Sequence, residues 1–176
     1  GPNHRAAVRT LPPVEKVRTL GGLAWQADLH PDKGGKGVNM IQRFVEAWDR
    51  RKDEIRKNFT LAHPESYEGI VKSVVEILGT DSDTREEPDP ERIQSVDYGE
   101  YQGTMLFVIG GKGYQPSNYW YVKVDYGSCS ECDTFEAIRW DNGYDSSIPP
   151  TEQQVEDYMQ LALHILQGIK SCQGGE

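Results

Sequence analysis

The run Asn118-Tyr119-Trp120-Tyr121-Val122-Lys123-Val124-Asp125-Tyr126 decides the fold class. Trp120, Val122, Val124 and Tyr126 alternate with Tyr119, Tyr121, Lys123 and Asp125. That two-residue period describes a strand with one apolar face and one face that begins aromatic and ends charged. Two further strands are predicted upstream, Ile93–Tyr98 and Gln102–Gly110. Tyr98-Gly99-Glu100-Tyr101 and the glycine-rich stretch from Gly110 to Ser117 separate the three, and such short links join antiparallel neighbours.

Helical periodicity surrounds these strands. From Met40 onward Phe44, Trp48, Ile55 and Phe59 recur among charged residues, as on an amphipathic helix of several turns. A second helix follows His63-Pro64-Glu65-Ser66, with Pro64 suited to its first turn, Ile70, Val71, Val74, Val75 and Leu78 facing inward, and Gly79 as its stop. Thr80 to Arg92 is acidic, holds two prolines and reads as an exposed loop. Thr134–Trp140 fits either a fourth strand or a short helical turn. Thr151 with Gln154 three residues on forms a capping box opening a last helix, whose core face is Val155, Tyr158, Met159, Ala162, Ile165, Leu166 and Ile169. The order predicts a single α+β domain over residues 40–172: an antiparallel meander of three to four strands packed with about three helices.

Outside that domain, Gly1-Pro2 resembles the scar of a cleaved tag, and residues 3–39 form a basic arm (Arg5, Arg9, Lys16, Arg18) expected to be poorly ordered. Residues 173–176 make a short tail. The 176 residues are 36% hydrophobic and carry a formal net charge of −9, with a pI near 5.0. That balance opposes nucleic acid and anionic membrane as partners and suits a basic protein surface. No apolar run approaches the ~20 residues of a spanning helix. Three cysteines, an odd number, predict free thiols in a reducing cytoplasm.

Beyond the third strand, Tyr126-Gly127-Ser128-Cys129-Ser130-Glu131-Cys132-Asp133-Thr134 brings two thiols, several hydroxyls and two carboxylates into a tight turn. Small polar residues around glycine expose backbone amides and side chains together, as a recognition loop does. A binding surface is therefore expected at Tyr126, Ser128, Cys129, Ser130, Cys132 and Asp133, with Tyr114 and Trp120 beside them. Other chemistry suits the same atoms. Cys129-x-x-Cys132 has the spacing of half a zinc site, and His164 with Cys172 would complete a Cys3His set. A dithiol at this spacing can also cycle with a disulfide, although Glu131 and Asp133 would raise the thiol pKa values and slow attack. A serine or thiol nucleophile would need His63 or His164 as base, and His164 is expected as a core imidazole within the last helix. Gly110-Gly111-Lys112-Gly113 lacks the spacing of a phosphate loop and is expected to be a hairpin turn. No cofactor is required by these residues; zinc is one reading of the cysteine pair.

Two parts of the chain resemble known families. His30-Pro31-Asp32-Lys33-Gly34-Gly35, followed by Ile41–Trp48, resembles the loop and next helix of J domains, the co-chaperone modules that stimulate heat-shock ATPases. That likeness implies His30, Pro31 and Asp32 as the activating element. From Met40 onward the chain is similar to small acidic proteins of unassigned role encoded by tailed bacteriophages. The motifs that carry this are Phe44–Trp48, His63–Tyr67, Asp97–Thr104, Gly113–Ser117, Tyr119–Tyr121, Tyr126–Thr134 and Tyr158–His164. It implies a viral accessory protein that engages a host protein in the host cytoplasm, and it carries over no catalytic residue. With Met40 as the natural start, residues 3–39 would be an extension.

Overall fold

A computed structural model describes residues 40–78, 87–129, 131–141 and 143–172. The basic arm with its His30-Pro31-Asp32 loop, residues 79–86, Ser130, Asn142 and the tail lie outside the described residues. The alternating segments pair as an antiparallel sheet, β1 (Pro88–Gly99), β2 (Gly103–Gly111), β3 (Tyr119–Tyr126) and β4 (Lys170–Ser171), in the order β1-β2-β3-β4. Helices α1 (Met40–Leu61), α2 (Tyr67–Leu78), α3 (Thr134–Arg139) and α4 (Glu152–Gly168) complete an α+β domain.

Register settles which residues share a face. Ile93 stands opposite Ile109, Ser95 opposite Phe107, Phe107 opposite Val122, and Ile109 opposite Trp120. Phe107, Ile109, Trp120 and Val122 are buried, and they meet the apolar stripes of the helices, where Ile70, Val71, Val74, Val75, Tyr158 and Ala162 are fully enclosed. The outward face carries Val96, Leu106, Val108, Tyr119, Tyr121, Lys123 and Asp125, none of them buried. Burying an aliphatic or aromatic side chain is worth about 1.5–3 kcal/mol, so the two-residue period of β2 and β3 is enough to fix which face turns inward.

Local signals decide the helix ends. The Thr151 hydroxyl accepts from Gln154 N at 3.2 Å, and Gln154 Oε1 accepts from Thr151 N at 2.9 Å, the reciprocal capping box of α4. Gln154 is buried because its amide also donates to Ile138 O at 2.9 Å, tying α4 to the end of α3. Ser66 accepts from Gly69 N at 3.2 Å and α2 begins at Tyr67, so Pro64 precedes that helix instead of sitting in its first turn. Arg56 and Glu156 form a two-point ion pair joining α1 to α4.

Several expectations are corrected. The acidic stretch read as a loop through Arg92 enters the sheet at Pro88. There the register slides between Pro88 and Ile93, and Pro88 occupies an edge strand, where its missing N–H breaks no inner ladder bond. Glu87 just before it is buried against Arg43 and Lys112, at 3.5 and 3.4 Å, which anchors the strand start despite its loop-like composition. Thr134–Arg139 is helix, not strand. His164 is exposed, because it falls on the solvent side of α4, one position before the buried pair Ile165 and Leu166.

Candidate functional site

Antiparallel order gathers two segments at one end of the sheet. Gly103 pairs with both Gly99 and Tyr126, so the β1–β2 hairpin tip and the turn that leaves β3 are neighbours. The Tyr126 hydroxyl donates to Asp97 Oδ1 at 2.7 Å across the strands, and that bond holds the phenol above its ordinary pKa. Gly99 permits this closeness, since a β-carbon there would lie 2.7 Å from the Tyr126 oxygen. Around this junction Tyr98 and Tyr101 are exposed, Tyr101 at 79%, together with Asp97, Glu100, Asp125 and Glu131. Thr104 donates to Asp125 at 2.6 Å.

The turn is built on Asp133. Its carboxylate accepts from Gly127 N at 3.0 Å, from Glu136 N at 2.9 Å as the N-cap of α3, and from the Tyr67 hydroxyl at 3.1 Å. Tyr67 in turn accepts from Phe135 N at 3.1 Å, and burial pushes its phenol far above the ordinary range. A buried carboxylate that caps a helix and ties a turn is a scaffold element. The expectation that Asp133 contributes to the contact surface is corrected accordingly: it is 4% exposed.

Cys129 and Cys132 are both exposed, and their sulfurs stand at disulfide distance with Cα atoms 5.3 Å apart. The expectation of free thiols fails at this pair. The structure differs because Cys132 N donates to Cys129 O at 3.0 Å, closing a four-residue turn that sets the two side chains on one side. Closing so short a loop removes only about 2 kcal/mol of unfolded-chain entropy, so the sulfur bond is a minor brace. Cys172 is free and exposed, but its backbone N–H donates to Tyr119 O at the opposite end of β3, seven residues or roughly 23 Å from Tyr126. A Cys3His zinc set is therefore not brought together. Among the described residues, no group of three or more histidine, cysteine, aspartate or glutamate side chains has a metal-ligating arrangement.

Strand direction also relocates the two aromatic candidates. Trp120 is 3% exposed and packs in the core on the Val122–Val124 face. Tyr114 is 93% exposed, yet it sits in the β2–β3 connection at the far end of the sheet from the turn. Neither borders Ser128 or the cysteine pair. Sequence reasoning gave no contact role to Tyr98, Tyr101, Asp97 or Glu100; the pairing of the two glycine-bounded strands with β3 was the signal that could have placed them.

His63 has other partners than a nucleophile. Its Nδ1 lies 2.9 Å from the Tyr158 hydroxyl, and its ring meets Tyr144 and Tyr158 edge-on at 5.6 and 5.9 Å. Arg139 lies 4.1 Å over the Tyr144 ring and donates to the Tyr144 hydroxyl at 2.8 Å. Burial, then the Arg139 charge, lowers the His63 pKa. The unfolded chain therefore takes up this proton at higher pH than the folded one. Stability is expected to be complete above His63's ordinary value of about 6.5 and to fall as pH drops through it toward the lower folded value. Urea unfolding at pH 7.5 and 5.5 should show this loss in the wild type and a smaller one in His63→Gln. Equal losses in both would reject the assignment.

Compared with known proteins, the chain matches no family model, no curated protein and no solved structure.

Proposed function

We propose that this chain is a non-enzymatic binding protein that docks a basic segment of a partner protein at the tyrosine- and carboxylate-rich end of its sheet. The observation that carries this reading is the gathering at one end of the sheet of exposed Tyr98 and Asp125, which share its outward face, with Glu100 and Tyr101 in the adjoining hairpin tip, Glu131 in the neighbouring turn and Asp97 on the opposite face. Among the described residues, these carboxylates form no ion pair. Rigid tyrosines supply contact area at little entropic cost, and unpaired carboxylates of one sign speed encounter with lysine- or arginine-rich chains. The same sign repels phosphate backbones and anionic lipid. The resemblance to bacteriophage-encoded proteins extends the proposal to a host cytoplasmic protein as the partner.

The test is binding of the full chain to lysine- and arginine-rich peptides, followed by calorimetry at low and high salt. Tyr101→Ala is expected to weaken binding by about tenfold or more, the scale of an interface anchor, with its melting temperature unchanged. Glu100→Lys with Glu131→Lys should remove most of the salt dependence. Tyr114→Ala, at the other end of the sheet, should have no effect. Binding that ignores Tyr101 and the two glutamates, or depends equally on Tyr114, would overturn the assignment of this surface.

A further inference from the structure

We infer that Cys129 and Cys132 form a thiol–disulfide exchange site for low-molecular-weight thiols and disulfides, a chemistry independent of the docking proposal. Both cysteines are open to solvent, and the third cysteine of the chain lies at the other end of β3, so each has the other as its resolving thiol. The turn survives without the sulfur–sulfur bond. Cys132 N and Asp133 N both donate to Cys129 O, at 3.0 and 2.9 Å, and the Asp133 carboxylate holds Gly127 N and Glu136 N. Reduction thus frees two thiols on a framework that stays in place.

The local field favours one of them as attacker. Cys129 N–H points at Cys132 Sγ from 2.9 Å, a backbone donor that stabilises a thiolate there, while the protonated sulfur can instead donate to Cys129 O at 3.2 Å. Of the acidic neighbours, Asp133 has its carboxylate turned inward onto its own donors, leaving exposed Glu131 as the carboxylate flanking the pair in sequence. Gly127 makes room for the turn itself: a β-carbon there would stand 2.5 Å from Cys132 O and 2.8 Å from Cys132 Sγ. In the oxidising direction the Cys132 thiolate attacks one sulfur of a small disulfide RSSR and expels RS⁻. Cys129 then loses its proton to solvent and attacks the Cys132 sulfur of the mixed disulfide, expelling a second RS⁻. Two protein thiols become one disulfide as RSSR becomes two thiols, and a small dithiol reverses the sequence.

The test uses the full chain with Cys172→Ser, which leaves only this pair. Protein equilibrated across a series of reduced-to-oxidised glutathione ratios is acid-quenched, alkylated with a maleimide and weighed intact. The expected result is joint loss of both alkylations in one transition, with matching circular dichroism for the two forms. Cys129→Ser should instead trap glutathione on Cys132, released by dithiothreitol. Thiols that remain alkylatable at every ratio, oxidation only between chains, or loss of the fold on reduction would each overturn the inference.

Discussion

Asp133→Ala is expected to lower the free energy of unfolding by about 4 kcal/mol: about 1 for the lost helix cap, about 2 for the buried Tyr67 hydroxyl left without an acceptor and about 1 for the half-buried Gly127 N. The donors concerned are Gly127 N and the Tyr67 hydroxyl, with Glu136 N as the capped group. Asp133→Asn keeps one oxygen acceptor and should lose about half as much. Chemical denaturation followed by circular dichroism measures both. A double-mutant cycle with Tyr67→Phe should give a coupling of about 1 kcal/mol, since the two side chains share a bond. An alanine variant within about 1 kcal/mol of wild type would mean that water replaces the carboxylate, and that Asp133 is no keystone.

Trp120→Ala should cost about 3–5 kcal/mol, the range for truncating a buried aromatic side chain. Tyr114→Ala, by contrast, is expected to stay within about 0.5 kcal/mol of wild type because its ring is in solvent. These residues look alike in sequence, each an aromatic near the third strand, so the contrast tests the strand assignment directly. Thermal melts separate the outcomes. A Trp120→Ala protein that melts normally but loses partner binding would restore Trp120 to a contact surface and contradict its place on the core face of β3.

The case against Trp120 as a contact residue was already present in the sequence. The alternation that defined β3 set Trp120 on the same face as Val122 and Val124, and that face had to turn inward. Polarity of the strand likewise put Tyr114 and the Cys129–Cys132 turn at opposite ends. Local patterns proved legible throughout: the capping box at Thr151, the stripe of α2 and the glycine-bounded hairpin each depend on residues within a few positions of one another. Asp133-Thr134-Phe135-Glu136 has the form of a helix start, but six residues are too few for periodicity to distinguish helix from strand. Long-range facts were not legible. His63 meets Tyr158 across 95 positions, and Tyr67 reaches Asp133 across 66. Pro88 to Arg92 read as loop because prolines and charges dominate it; pairing with β2 at Pro88 and again from Ile93 draws the stretch between them into the strand as an irregularity. The cysteine spacing could not separate metal, redox and turn, since the same two intervening residues serve all of them.

The brevity of β4 has a consequence for how copies of this molecule meet. It pairs with Trp120 and Tyr121 alone, so among the described residues no strand pairs with the later half of β3, or with the outer edge of β1 on the far side. Strand edges without a paired strand invite a neighbouring molecule to continue the ladder. Here Asp97 stands on one margin and Asp125 on the other, so a second copy sliding in would bring like charges together. The groups proposed to draw a cationic partner thereby also oppose edge-to-edge pairing of identical chains.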